Sequence, residues 1–210
     1  MVFGSCDQFY YNKPVITTKH ITLCNDYFVI EYSPTTKTPI YTANVLTYNI
    51  VQKAKDIGRK DTFHEDERLP FSSRSLLSDY KKSGYDRGHM IPSDDMPDFK
   101  SQNQTFSLAN MVPQNASNNR GTWKKLENKT REYTNKESKV YVISGPIYDT
   151  LTTQVGNHVM VPTRLFKIII LPEQKKTLVL IVDNSKNKDI NITTLQELQK
   201  VVPIRFNDGK

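Results

Sequence analysis

Strand-type runs in this chain come in neighbouring pairs joined by turn residues, not in regular alternation with helices. Tyr27-Phe-Val-Ile-Glu-Tyr32 is β-branched and aromatic, Ser33 to Pro39 reads as a turn, and Ile40 to Tyr48 alternates well enough to return alongside. His158 to Leu171 and Thr177 to Asp183 repeat the arrangement around Pro172-Glu173, and Lys139 to Ser144 is a buried-type strand ended by Gly145-Pro146. Strands joined by short turns pair antiparallel, whereas parallel neighbours need a crossover of about a dozen residues or more. The expected fold class is therefore α+β, with a mainly antiparallel central sheet flanked by helices. Asn119 to Lys136 lacks proline and carries Trp123, Leu126, Thr130 and Tyr133 at helical spacing. A short helix fits near 101–110 and a last one over Thr193 to Val202, while residues 49–84 are polar and irregular, a surface and not a core.

With 210 residues, 37% of them hydrophobic, the chain can fill one core and is read as a single domain, 1–210. A 24% charged share argues against disorder. The longest apolar run is four or five residues, as in Ile168 to Leu171, which excludes a membrane-spanning helix. No internal period marks a repeat array or a coiled coil. Lys+Arg outnumber Asp+Glu 29 to 22, a net charge of +7. Such a surface favours polyanions (nucleic acid, anionic lipid or glycosaminoglycan), although many basic proteins are merely soluble.

Both cysteines, Cys6 and Cys24, lie at one end. A bond between them would close a loop worth roughly 3 kcal/mol and fasten an N-terminal arm, residues 1–25. That reading places the protein in an oxidising compartment, secreted or periplasmic; two buried thiols in a cytosolic protein are the alternative. Met1 to Ser5 shows neither the basic nor the apolar part of a leader, so export would require one already removed.

The chemistry is concentrated in two segments. One reads Tyr85-Asp-Arg-Gly-His-Met-Ile-Pro-Ser-Asp-Asp-Met96. The other runs from Phe106-Ser-Leu-Ala-Asn-Met-Val-Pro-Gln114 to Asn118-Asn-Arg-Gly-Thr-Trp-Lys-Lys-Leu-Glu127. Asp-Arg-Gly-His followed by Asn-x-x-x-Trp-x-x-x-Glu resembles the DNA/RNA non-specific endonucleases of the ββα-metal finger superfamily, to which endonuclease G also belongs. The likeness is good over about residues 57–150, from Arg59-Lys-Asp-Thr-Phe-His-Glu-Asp66 to Gly145-Pro146, and looser elsewhere. It implies a ββα-metal core over residues 85–136, and cleavage of internal phosphodiester bonds in DNA and RNA that leaves 5′-phosphate and 3′-hydroxyl ends.

Hydrolysing a phosphodiester requires a deprotonated water, a cation on the developing charge and help for the leaving oxygen. His89 is the natural general base, because imidazole titrates near neutrality. No His/Cys/carboxylate cluster of zinc spacing exists, and the neutral oxygen of Asn119 suits a hydrated Mg²⁺, with Mn²⁺ or another divalent cation also admitted. The resemblance makes Asn119 the direct ligand and gives Glu127 a role through water. On an ideal helix those two lie roughly 80° and about 12 Å apart.

Arg87 shares a face with His89 in extended backbone and suits a phosphate clamp, while Asp86 points the other way as a structural partner for backbone or an arginine. Arg59 and Arg131 match family positions with electrostatic or substrate-binding roles. Lys60 offers a second register for the first, and pairing with Glu127 offers a second reading for Arg131. Asn110 and Gln114 match polar residues near the site, placed there to hold His89 or phosphate or else to staple loops. Trp123 reads as core, His64 as a supporting residue, Asp94-Asp95 as a solvated turn or a second cation site, and His20 and His158 as lacking acidic or amide partners.

The expected partners are DNA and RNA, held through the phosphate backbone and with little sequence preference, and no membrane. Three other readings stay open: a DNA-only nuclease, a toxin-type effector with a cognate inhibitor protein, and a non-catalytic nucleic-acid-binding protein on the same scaffold.

Overall fold

The computed structural model describes residues 6–150, 152–187 and 189–206. The segment Met1 to Ser5, on which the leader reading rests, lies outside the described residues. In chain order the strands are β1 (Val15–Ile16), β2 (Ile21–Cys24), β3 (Phe28–Ser33), β4 (Thr38–Leu46), β5 (Asp86–His89), β6 (Met111–Gln114), β7 (Val140–Ile147), β8 (Gln154–Val155), β9 (Val159–Met160), β10 (Arg164–Leu171), β11 (Lys176–Asp183), β12 (Ile190–Thr193) and β13 (Ile204–Arg205). The helices are α1 (Tyr48–Lys55), α2 (Leu77–Tyr80), α3 (Phe99–Thr105), α4 (Lys124–Glu132) and α5 (Leu195–Leu198). Seven strands form one sheet in the order β12-β11-β10-β7-β4-β3-β2, with every pair antiparallel. The α+β class with an antiparallel centre is the observed fold.

Side chains alternate across this sheet with a period of two, so its faces carry different layers. Ile143, Phe166, Ile168, Val179 and Ile181 face one side, covered by Phe9 and Tyr10 of the arm and by Leu198, Val202 and Ile204 near the other end. Cys6 and Cys24 form a disulfide, with Cα atoms 5.9 Å apart, that ties the arm to β2. Val142, Leu165, Ile169, Leu180 and Val182 face the opposite side, beneath Val51 of α1, Met90, Val112, Trp123 and Leu126. The candidate site is built on this second face.

Several elements differ from the sequence expectation. Residues 49–84 hold α2 and all but the first residue of α1, whose N-cap Thr47 accepts a hydrogen bond from the Ile50 amide and which buries only Val51 and Ala54. Two buried positions are too few to mark a helix by periodicity. Gly145-Pro146 does not end its strand: β7 continues to Ile147 against β10, while its pairing with β4 stops at Ser144. A side chain at Gly145 would run into the Ile40 carbonyl and the Phe166 ring. The helix expected over Thr193 to Val202 is reduced to α5: Thr193 belongs to the edge strand β12, Thr194 caps the helix, and the chain leaves it after Leu198.

Candidate active site

Strands β5 and β6 form a two-stranded antiparallel unit, pairing Asp86 with Gln114 and His89 with Met111. The helix that follows does not start as a regular α-helix. Asn118 to Trp123 are wound as a π-helix that passes into α4. The ideal-helix separation of Asn119 and Glu127 therefore does not apply, although both side chains reach the same cavity. Trp123 anchors the unit: it is buried in the second-face core, and its indole N–H donates to the His89 carbonyl at 3.2 Å. Gly88 has no room for a side chain because the Gln114 amide lies against it. Gln114 in turn donates to Asn118 Oδ1 at 2.6 Å, and Asn118 donates to the Asp183 carbonyl at 2.9 Å. The strand bearing His89 and the turn bearing Asn119 are thus locked to each other and to the sheet.

A cavity of about 920 Å³ opens over this unit, lined among others by Arg59, Arg87, His89, Asn119 and Glu127. Five of the eight site residues singled out from sequence are therefore brought together. Burial lowers the His89 pKa to about 3, and the charges of Arg59 and Arg87 push the same way, so the imidazole is held neutral. Its Nε2 is buried without a hydrogen-bond partner among the described residues. Asn119 Nδ2 donates to Asp86 Oδ2 at 2.9 Å, and Arg120 grips the same carboxylate through Nε at 2.9 Å and Nη2 at 2.7 Å. Burial alone would raise the Asp86 carboxyl, but the bonds from Arg120 and Asn119 outweigh it and hold it below the usual carboxylate range. Burial pushes the half-buried Glu127 carboxyl upward, opposed by the charge of Lys167 beneath it. Lys167 is itself buried, donates to Ser144 Oγ at 2.7 Å and lies 4.5 Å from the Trp123 ring centroid.

The donor chemistry fits a hard cation and not zinc. No cluster of three or more His, Cys, Asp or Glu side chains that could hold a metal exists among the described residues. With its amide N–H given to Asp86, Asn119 has its Oδ1 free of described donors at the cavity wall, and the Glu127 carboxylate lines the same wall. One neutral oxygen and one carboxylate suit an ion that keeps most of its water.

Three expected site residues lie elsewhere. Arg131 donates to Asp95 Oδ1 at 2.7 Å and to Asn128, and pairs with Asp95 instead of Glu127. It lines a neighbouring cavity of about 420 Å³ that shares Asp94 with the first. Asn110 is fully buried, its amide closed between Ile91 and the Thr105 carbonyl, so it staples loops and cannot reach a phosphate. Gln114 is equally buried. Arg59, not Lys60, faces the cavity; Lys60 instead lies over the Phe99 ring. Asp95 is buried against Arg131 and Asn44, which removes it as a solvated turn, while Asp94 is exposed on the rim. His64 bonds the Thr62 carbonyl. His20, expected to lack an acidic neighbour, has Glu31 at 3.8 Å, and His158 meets the Gln154 amide at 2.8 Å.

Sequence reasoning missed the hold of Asp86 on Asn119. Period-two logic sends Asp86 away from Arg87, and the adjacency of Arg120 to Asn119 was the available clue. It also missed Phe63 and Phe106, which pack on His89 from distant segments.

Two antiparallel strands, one bearing the histidine, crossed by a helix whose first turn bears the asparagine, define the ββα-metal class. The similarities agree. A family model for DNA/RNA non-specific endonucleases matches residues 7–208, and the chain belongs to that family. It is 37% identical over 160 residues to Nuclease C1 of Cunninghamella echinulata var. echinulata, covering 70% of this chain and 63% of the relative. It is 35% identical over 149 residues to the mitochondrial Nuclease 1 of Schizosaccharomyces pombe, covering 64% and 46%. Against human mitochondrial Endonuclease G the identity is 31% over 156 residues, covering 69% and 52%. The match thus spans from under half to under two thirds of each of these relatives. A solved structure of the EndoG/EndoGI complex, described as showing the mechanism of EndoG inhibition, superposes with TM-score 0.78 at 26% identity, over 90% of this chain and 86% of that one.

Proposed function

We propose that this protein is a divalent-cation-dependent endonuclease, formed by a single domain with its core over residues 85–136, that hydrolyses internal phosphodiester bonds of DNA and RNA. The observation that carries the reading is that a neutral imidazole, His89, and an amide oriented by the same strand, Asn119, line one cavity with Arg59 and Arg87. His89 takes the proton from the attacking water. Arg87 and Arg59 hold the non-bridging phosphate oxygens and neutralise the charge that grows on them. Asn119 directly, and Glu127 through water, would hold Mg²⁺, which when bound supplies Lewis-acid stabilisation of the phosphorane and the leaving oxygen. In-line attack with departure of the 3′-oxygen leaves 5′-phosphate and 3′-hydroxyl ends. Arg131, paired with Asp95 and lining the neighbouring cavity, is assigned the role of supporting the helix behind the site.

The Cys6–Cys24 bond is in keeping with a secreted or periplasmic setting. The structural likeness to EndoG, solved in complex with EndoGI and described in terms of its inhibition, is the ground for including an inhibitor protein among the partners. The deciding experiment is parallel digestion of duplex DNA, single-stranded DNA and RNA with Mg²⁺ and then with EDTA, for the wild type and His89→Ala. Cleavage of all three in Mg²⁺ alone, with a loss of roughly 10²- to 10⁴-fold in a folded variant, is the expected result. Near-wild-type cleavage by the variant would remove the mechanism.

A further inference from the structure

Two phenylalanine rings connect the candidate catalytic side chains, which arrive from separate segments. Phe63 lies 5.6 Å from the His89 ring and carries the Arg87 guanidinium 3.9 Å from its own centroid. Phe106 meets the His89 ring edge-on at 4.9 Å and has the Arg59 guanidinium 5.2 Å from its centroid. The two phenylalanines stand perpendicular to each other, with centroids 4.9 Å apart. Each ring therefore touches the histidine and an arginine. Phe106 is fully buried in the core, whereas Phe63 is half-buried and lines the cavity.

The way Arg87 is held sets it apart from its neighbours. Arg59 donates to Asp61, Arg120 to Asp86 and Arg131 to Asp95. Among the described residues no acceptor takes a hydrogen bond from Arg87 and no carboxylate pairs with it; its close contact is the Phe63 face. A carboxylate would occupy the guanidinium fork and compete with phosphate for it. An aromatic face attracts the cation through its quadrupole and leaves all five N–H donors free. It also adds no negative charge beside His89, so it does nothing to favour the imidazolium.

We infer that Phe63 is a positioning residue, whose π face presents the unpaired Arg87 fork to a phosphodiester. The inference rests on the endonuclease reading above. Phe63→Leu keeps an apolar side chain but removes the π face, and kcat/KM for plasmid cleavage falls on the order of tenfold. Phe63→Tyr restores the rate to within about threefold, because the face returns. In an Arg87→Gln background, Phe63→Leu causes no further loss. Placing 3,4,5-trifluorophenylalanine at position 63 retains the shape while withdrawing charge from the face, and it lowers kcat/KM with the circular dichroism spectrum unchanged.

Wild-type rates in Phe63→Leu or in the fluorinated protein would overturn the inference, as would an equal Phe63→Leu penalty with and without Arg87. If those rates stay high while His89→Ala and EDTA still abolish cleavage, this inference alone fails. If the wild type cleaves nothing, the nuclease reading fails and takes this one with it.

Discussion

Asp86 Oδ2 accepts a hydrogen bond from Asn119 Nδ2 at 2.9 Å, so the strand that carries Arg87 and His89 also turns the amide facing them. A ligand's affinity depends on such outer contacts, whose loss costs roughly 10- to 100-fold. Asp86→Ala is expected to raise the Mg²⁺ concentration for half-maximal cleavage by about that factor. Binding of nucleic acid is not expected to weaken, since Arg120, already largely exposed, loses its partner and adds positive charge. A cation titration of the cleavage rate checks this. An unchanged midpoint would mean that Asp86 serves Arg120 alone.

The pH profile follows from the burial of His89. A general base fails when protonated, so kcat/KM falls as pH drops through the free-enzyme pKa. With that pKa lowered to about 3 by burial, Arg59 and Arg87, the acid limb at saturating Mg²⁺ lies well below the ordinary histidine value. From sequence alone the limb would fall near neutrality. Arg87→Gln removes one opposing charge and moves the limb upward, even as it lowers the rate. A limb near pH 6.5 in the wild type would show that another group, or a more exposed histidine, is titrating.

The residues proposed to carry the chemistry were legible because they fall in short motifs, whereas their supports were not. Arg87, His89, Asn119 and Glu127 follow from two short motifs, and the sheet follows from apolar alternation in β3, β4, β10 and β11. The π-helical start at Asn118 has no signature in residue type, because a wide turn is imposed by packing between the Gln114–Asn118 bond and the Trp123 anchor. Phe63 and Phe106 were unreadable for a related reason: their meeting with His89 depends on how loops cross. Arg131 and Asn110 show what residue type at a matching position does not reveal, namely that their polar atoms are engaged by protein partners.

The disulfide has a separate consequence. Opening Cys6–Cys24 releases a loop of 18 positions and should cost roughly 3 kcal/mol of stability in the chain-entropy model. Urea unfolding with and without reductant measures the difference. The site lies on the opposite face of the sheet, so the cleavage rate of the reduced, folded protein should match that of the oxidised form. Two reactive thiols in denatured, unreduced protein would remove the bond from the account.

Trp123 joins folding to the site. It is the sole tryptophan, nearly fully buried, and its N–H serves the His89 carbonyl while its ring lies beside the buried ammonium of Lys167. Trp123→Phe retains most of the apolar contact but strands that carbonyl, at a cost of about 1–3 kcal/mol. Trp123→Ala adds a cavity and should cost about 3–5 kcal/mol. Urea midpoints followed by circular dichroism, since no tryptophan remains to fluoresce, should rank wild type above Phe and Phe above Ala. Cleavage by the Phe variant should fall only modestly at temperatures where it is folded, because β5 is still paired with β6 through four residues. A Phe variant as stable as wild type but devoid of activity would put the indole in contact with substrate, contrary to its place in the core.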